Sequence, residues 1–147
     1  PELGLLQKTK KLETAFIAFS PVGRGLLTDK PPTTERVKES PFLKVNPRFL
    51  EPNLSENIKA VKGFQKLAKD YGLSTAGLAI AWLIAKDEHI IPIPGTRSTI
   101  HLKEMVKGTE KNLTQTDIDE IEKTLPVGWA HGDRYSDIQW IGPEKYC

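Results

Sequence analysis

Ile90-Ile91-Pro92-Ile93-Pro94-Gly95-Thr96-Arg97-Ser98 is a short branched apolar run that stops at prolines and opens through small polar residues and one arginine. It is too short for a helix and reads as a buried strand with its prolines at or near the ends. Ser98 can cap a helix that ends near Gly108. A matching run lies upstream, Ala15-Phe16-Ile17-Ala18-Phe19, closed by Ser20-Pro21. It reads the same way, and Gly23-Arg24-Gly25 follows it as a flexible loop. Two helices are expected between the strands. In the first, from Ser55, the residues Ile58, Val61, Leu67, Ala68 and Tyr71 share a face, and Gly72 is a natural stop. The second spans residues 75–85, is capped by Ser74 and is apolar nearly all round, which predicts burial. Strands separated by helices argue for parallel pairing through crossovers.

The rest of the chain fits around this unit. Residues 3–12 read as the tail of a helix with Leu5, Leu6 and Leu12 apolar. Residues 29–54 hold Pro31, Pro32, Pro41, Pro47 and Pro52, which forbid a long regular element. They read as a long surface loop with a turn or two of helix, and loops of that length are usually functional or mobile. Thr114 with Asp117 opens a last helix, with Ile118, Ile121 and Leu125 inward and Pro126 as its stop. Residues 126–147 form an ordered, loop-rich tail carrying Trp129, Tyr135, Trp140 and Tyr146.

Composition bounds the class. The chain has 147 residues, 21 basic and 19 acidic, with net charge +2. That balance is too even to imply a nucleic-acid or membrane partner. The single cysteine, Cys147, supports neither an internal disulfide nor a metal cluster. A reducing, cytoplasmic location is expected. No basic-then-apolar leader is visible, and the longest apolar run, residues 78–85, is far short of a membrane span. The chain begins at Pro1 rather than Met, which suggests a piece of a longer protein. No internal repeat is visible.

Chemistry gathers in the two loops that follow the strands. The loop after the second strand leads straight into a helix. Free amides at that helix start, hydroxyls on Thr96 and Ser98 and the Arg97 guanidinium make an anion site, and Gly95 allows close approach of the backbone. Against this stands a plainer reading, with Gly95 and Ser98 as turn and cap and Arg97 as a solvated cation. Gly23-x-Gly25 is not a dinucleotide fingerprint, because position 28 is Thr. His89, His101 and His131 lack metal-ligand spacing. No Gly-x-Ser-x-Gly elbow exists. Asp117, Asp119, Glu120 and Glu122 read as a solvated helix face. Met105 and Trp82 read as core.

Phe16-Ile17-Ala18-Phe19-Ser20-Pro21-Val22-Gly23-Arg24-Gly25-Leu26-Leu27-Thr28 is similar to the seventh-strand segment of aldo-keto reductases. Ile91-Pro92-Ile93-Pro94-Gly95-Thr96-Arg97-Ser98 resembles that family's eighth strand and phosphate loop. Tyr71-Gly72-Leu73-Ser74-Thr75 and Ala79-Ile80-Ala81-Trp82-Leu83 match its helix pair between them. The resemblance covers nearly the whole chain, in order. It implies an α/β fold, helix-rich with two short parallel strands, equal to the last two strand–helix units of a (β/α)8 barrel. All 147 residues would then be one partial domain.

The same resemblance implies an oxidoreductase that binds NADP(H) and reduces small aldehydes or ketones. Ser20, Val22, Gly23, Arg24 and Leu26 would line the pyrophosphate and nicotinamide side. Thr96, Arg97 and Ser98 would hold the adenosine 2′-phosphate, with Gly95 and His101 in the same loop and Glu104 near the adenine. Many members have an arginine at the position of His101 and an asparagine at that of Met105, so NADPH is favoured less strongly than usual. The family's catalytic Tyr, Lys, Asp and His lie on early strands, and no motif here matches them. The chain alone is therefore expected to be inactive. Its inward residues Phe16, Ile17, Phe19, Ile91 and Ile93 are expected to be uncovered, so that it self-associates or needs the missing N-terminal part. The rivals are a non-enzymatic nucleotide- or phosphate-binding module and a purely structural fragment.

Overall fold

The structure, a computed structural model, describes residues 4–141. Eight regular elements follow the order read from the sequence: α1 (Leu5–Lys11), β1 (Phe16–Phe19), α2 (Thr34–Glu39), α3 (Asn53–Asp70), α4 (Thr75–Lys86), β2 (Ile90–Ile93), α5 (Thr99–Thr109) and α6 (Gln115–Thr124). The strands pair in parallel, with Phe16 opposite Ile90, Ile17 opposite Ile91, Ala18 opposite Pro92 and Phe19 opposite Ile93.

Local chemistry sets the boundaries. The Ser74 hydroxyl accepts from the Gly77 N–H at 3.0 Å and starts α4. Ser98 does the same for α5 through the His101 N–H at 3.4 Å. Thr114 and Asp117 cap each other's backbone and start α6. Each such cap replaces a helical partner that the first turn lacks.

The principal core joins three helices. Phe64, Leu67 and Ala68 of α3 meet Leu78, Ala79 and Ala81 of α4 and Ile121 of α6. Every α4 residue from Thr75 to Ala81 is buried, as its all-round apolar pattern requires. α5 lies very close to α4. A Cβ added at Gly77 would stand 2.9 Å from the Glu104 carbonyl oxygen, and one at Gly108 would run into the Gly77 backbone. These two glycines let α5, and the loop ahead of it, sit directly on α4.

The sheet is covered on one side only. Ala18 and Ile90 are buried, and β2 packs on α4. On the other side Ile17, Phe19, Ile91 and Ile93 are 47–51 % exposed, adjacent in register. Phe16, expected with them, is only half-buried because alternation turns it to the helix side.

One segment departs from its expectation. Residues 29–54 were expected as a surface loop with a turn or two of helix; the short helical pieces are there, as α2 and two 3-10 turns, but the segment is partly buried and α3 already begins at Asn53. Val37 and Phe49 from this segment join Leu26 and Leu54 in a second core, against which Trp129 of the tail packs. The prolines limit regular hydrogen bonding without preventing burial of the apolar residues between them. The tail is held by two fully buried asparagines. The Asn46 amide donates to the Arg134 carbonyl (2.8 Å), and the Asn57 amide donates to the His131 carbonyl (3.0 Å). Gly132, at φ 83°, approaches Pro47 and Asn53 where a Cβ would stand 2.6 Å from the Asn53 amide nitrogen. Tyr146 and Cys147 lie outside the described residues.

Candidate cofactor cleft

β1 and β2 end side by side, so the loops that leave them share one edge of the molecule. A cleft of about 760 Å³ opens there. Ser20, Val22 and Arg24 form one wall, and Gly95, Thr96, His101 and Glu104 the other. The volume lies within the usual ~300–1,000 Å³ of small-molecule sites. In parallel α/β folds the C-terminal strand ends are where ligands bind, because helix starts and connecting loops converge there.

The floor is built by packing. Met105 is buried with Ala76 and Ile80, and Val22 leans on that cluster. Met105 and Val22 both border the cleft, so the core reading of Met105 and its place in the site coincide. Asp29 fixes the rim. Its carboxylate accepts from the Thr75 N–H at 3.1 Å and from the buried Thr75 hydroxyl, tying the first loop to the start of α4.

The two walls differ in freedom. On the first, Gly23 and Arg24 adopt positive φ, 58° and 57°, within a tight 3-10 turn. The Arg24 guanidinium lies between Phe42 and Tyr135, 4.7 and 4.4 Å from their ring centroids, and donates to the Arg134 carbonyl at 2.8 Å. Burial pushes it below the ordinary arginine range, and the like charge of Arg134 adds to that. Leu26 is 2 % exposed and belongs to the second core, so its side chain does not reach the cleft.

On the second wall Gly95, Thr96 and Arg97 are exposed. The Thr96 hydroxyl accepts from the Ser98 N–H at 3.1 Å, and Ser98 caps α5. Open space surrounds the position a Cβ would take at Gly95. Arg97 is not among the residues that line the cleft, and among the described residues it has no ion-pair partner.

Sequence reasoning passed over Lys30 and Arg36, which also border the cleft. No motif marks them; only the fold of the Pro-rich segment carries them there. With Arg24 they outnumber the acidic lining residues Asp29 and Glu104, and Asp29 is already committed to Thr75. The cleft therefore suits an anionic ligand.

The described tyrosines lie in packing roles. The Tyr71 hydroxyl donates to Asp117 at 2.8 Å, and its pKa is pushed up by burial and by that carboxylate. A proton held that way is poorly suited to donation at neutral pH. Tyr135 stacks edge-on with Trp140, 5.0 Å between centroids. The Trp82 indole N–H donates to Glu122 at 3.2 Å, away from the cleft. Among the described residues no group of three His, Cys, Asp or Glu could hold a metal, and no helix is long and apolar enough to cross a membrane.

Comparison with known proteins agrees with this architecture. The model of the aldo/keto reductase family matches residues 1–126. "Probable aldo-keto reductase 1" of Glycine max is 32% identical over 126 residues, which is 86% of this chain and 36% of that protein. An aldo-keto reductase of Schizosaccharomyces pombe whose name specifies NADP(+) is 27% identical over 135 residues, 92% of this chain and 40% of that protein. Among solved structures, the glycerol dehydrogenase of Gluconobacter oxydans aligns at TM-score 0.66 and 22% identity over 84% of this chain and 38% of its own. A thermostable aldo-keto reductase complexed with the inhibitor epalrestat aligns at 0.56 and 23%, over 82% of this chain and 33% of its own. The chain thus spans 36% to 41% of the curated relatives it matches.

Proposed function

We infer, on the premise that this chain belongs to the aldo/keto reductase family, that it is the cofactor-binding part of an NADP(H)-dependent reductase of small aldehydes and ketones. The observation that carries the reading is the cleft shared by the two post-strand loops, with its excess of cationic lining. The name of the yeast relative supports NADP(H) over NADH.

The residues present fit a dinucleotide. Thr96, Arg97, Ser98 and His101 surround the start of α5, whose first amides favour a phosphate. We assign them the 2′-phosphate, with Arg97 swinging in from the surface, because a planar guanidinium can donate two parallel bonds to it. Glu104 and the Met105 floor take the adenine side. Ser20, Val22 and Gly23 take the pyrophosphate and nicotinamide side, where the tight turn fixes the backbone. Arg24 holds that turn in place through Phe42, Tyr135 and the Arg134 carbonyl. When bound, the cofactor would supply the hydride; this chain's residues orient it and neutralise its phosphates.

Among the described residues neither tyrosine is placed as the proton donor, since Tyr71 is bound to carboxylates and Tyr135 is stacked between cations. Steady-state assay of the pure chain with NADPH and an aromatic aldehyde should give no turnover, while a fluorescence titration should show saturable NADPH binding. Steady NADPH oxidation would overturn the assignment of catalysis to other parts of the protein. Absence of binding would favour a purely structural fragment.

The uncovered face of Ile17, Phe19, Ile91 and Ile93 belongs to the same reading. In a closed barrel those side chains point inward. In isolation the chain should hide them by self-association, or by pairing with the part that supplies the earlier strands.

A further inference from the structure

Three arginines converge beside the cleft, on the side of the tail. Arg24 stacks on Tyr135, and Arg134 lies 5.6 Å from the same ring and 4.5 Å from Phe19. Arg48 donates to the Gly132 carbonyl at 3.2 Å. Burial pushes the Arg48 guanidinium down, and the charges of Arg134 and Arg24 push the same way. Gathering like charges in a partly dry place costs free energy unless an anion compensates. Asp133 offsets this in part at Arg48, but among the described residues none of the three is in a close ion pair. Each guanidinium has five N–H donors; Arg24 uses donors on the Arg134 carbonyl and Tyr135, and Arg48 one on the Gly132 carbonyl, which leaves others for a ligand.

The cluster is also well placed. Phe19 is the last residue of β1 and lies on the bare face of the sheet, so Arg134 stands over the end of the strand from which the cleft opens. Arg24 borders the cleft, whereas Arg48 and Arg134 do not. Arg48 and Arg134 thus lie outside the cleft that Thr96 borders. Cation–π stacking on Phe42, Tyr135 and Phe19, and buried Asn46, which grips the Arg134 carbonyl, hold the group in shape.

We propose that Arg24, Arg48 and Arg134 form an oxyanion site that receives the carboxylate of the carbonyl substrate, making the substrate class acidic aldehydes or keto acids. The proposal rests on the reading of the neighbouring cleft as the site of a reductase. A phosphate of the dinucleotide shares the same chemistry, and the test separates the two sources.

Side-chain Nε–H resonances of the three arginines are followed by NMR in the pure chain. It is titrated with 4-carboxybenzaldehyde, with its neutral methyl ester, and separately with NADPH. The expected result is saturable shifts at all three arginines with the acid, none with the ester, and acid binding that persists when NADPH is saturating. Arg134→Gln, a change at an exposed side chain, should weaken the acid about 10-fold or more and leave NADPH affinity within about 2-fold. Equal response to acid and ester, or no saturation, overturns the proposal. Displacement of the acid by NADPH from all three arginines also overturns it and assigns the site to the cofactor. Acid binding without any NADPH binding keeps this site and instead removes the cofactor reading.

Discussion

The two loops that leave the paired strands look alike in sequence and are built to opposite ends. The loop after β1 is locked: Leu26 is sunk in a core, Arg24 is stacked between rings, and Asp29 is tied to α4. The loop after β2 is open: Gly95, Thr96 and Arg97 are exposed, and Arg97 is without a partner among the described residues. A ligand needs one preformed wall and one wall with spare donors, because preorganisation reduces the ordering cost while free donors supply the attraction. The difference teaches that two arginines beside glycines can stand in opposite states: Arg24 is held in place by ring stacking and one donated bond, whereas Arg97 is left on the surface.

The sharpest way to break the contrast is to truncate one residue in each loop. Leu26→Ala should lower stability by about 2–5 kcal/mol, as for other buried leucines, read by denaturant unfolding. Arg97→Ala should leave stability within about 0.5 kcal/mol. It should weaken NADPH binding about 10- to 150-fold, the worth of one charge-assisted bond to phosphate, with much less loss for NADH. Equal losses for both cofactors would show that Arg97 does not read the 2′-phosphate. A stability loss at Arg97 as large as that at Leu26 would erase the distinction between the loops.

The open loop depends on α5 for its position, and α5 depends on Gly77 and Gly108. Gly108→Ala should cost about 1–3 kcal/mol by overpacking and should also weaken NADPH, since it displaces the start of the helix. Loss of stability with unchanged affinity would separate the loop from its helix.

Strand pairing, the last four helices and the caps of α4, α5 and α6 were legible because local patterns decide them; α3 starts at Asn53 without a side-chain cap, two residues ahead of the Ser55 start read from sequence. Ser74, Ser98 and Thr114 each stand where a first turn lacks partners. The bare face was legible at Ile17, Phe19, Ile91 and Ile93 but not at Phe16, which strand alternation turns to the helix side. The Pro-rich segment was not. Its burial comes from Val37 and Phe49 meeting Leu26 and Leu54 across long stretches of chain, and no periodicity announces such contacts. The engagement of Arg24 was hidden for the same reason, as its partners Phe42 and Tyr135 lie far along the sequence.

A smaller effect concerns the end of the sheet opposite the cleft. Asp87 accepts from Lys10 at 2.7 Å and lies 3.0 Å from the His89 ring. Lys10 first and His89 second hold its carboxyl well below the usual carboxylate range. A carboxyl depressed on folding stabilises above its unfolded pKa of about 3.9 and ceases to do so as pH falls through its folded value. Hydrogen exchange in α1 should therefore accelerate selectively below about pH 4, and Asp87→Asn should remove that pH dependence. A profile unchanged by the substitution would place the anchoring of α1 elsewhere.

The central claim, that both loops hold one dinucleotide, is tested most directly by backbone amide NMR of the pure chain during NADPH titration. Saturable shifts should appear together at Ser20–Arg24 and at Gly95–Glu104, with a single dissociation constant, and stay small in α6. Shifts confined to one loop, or absent from both at saturating NADPH, would contradict it.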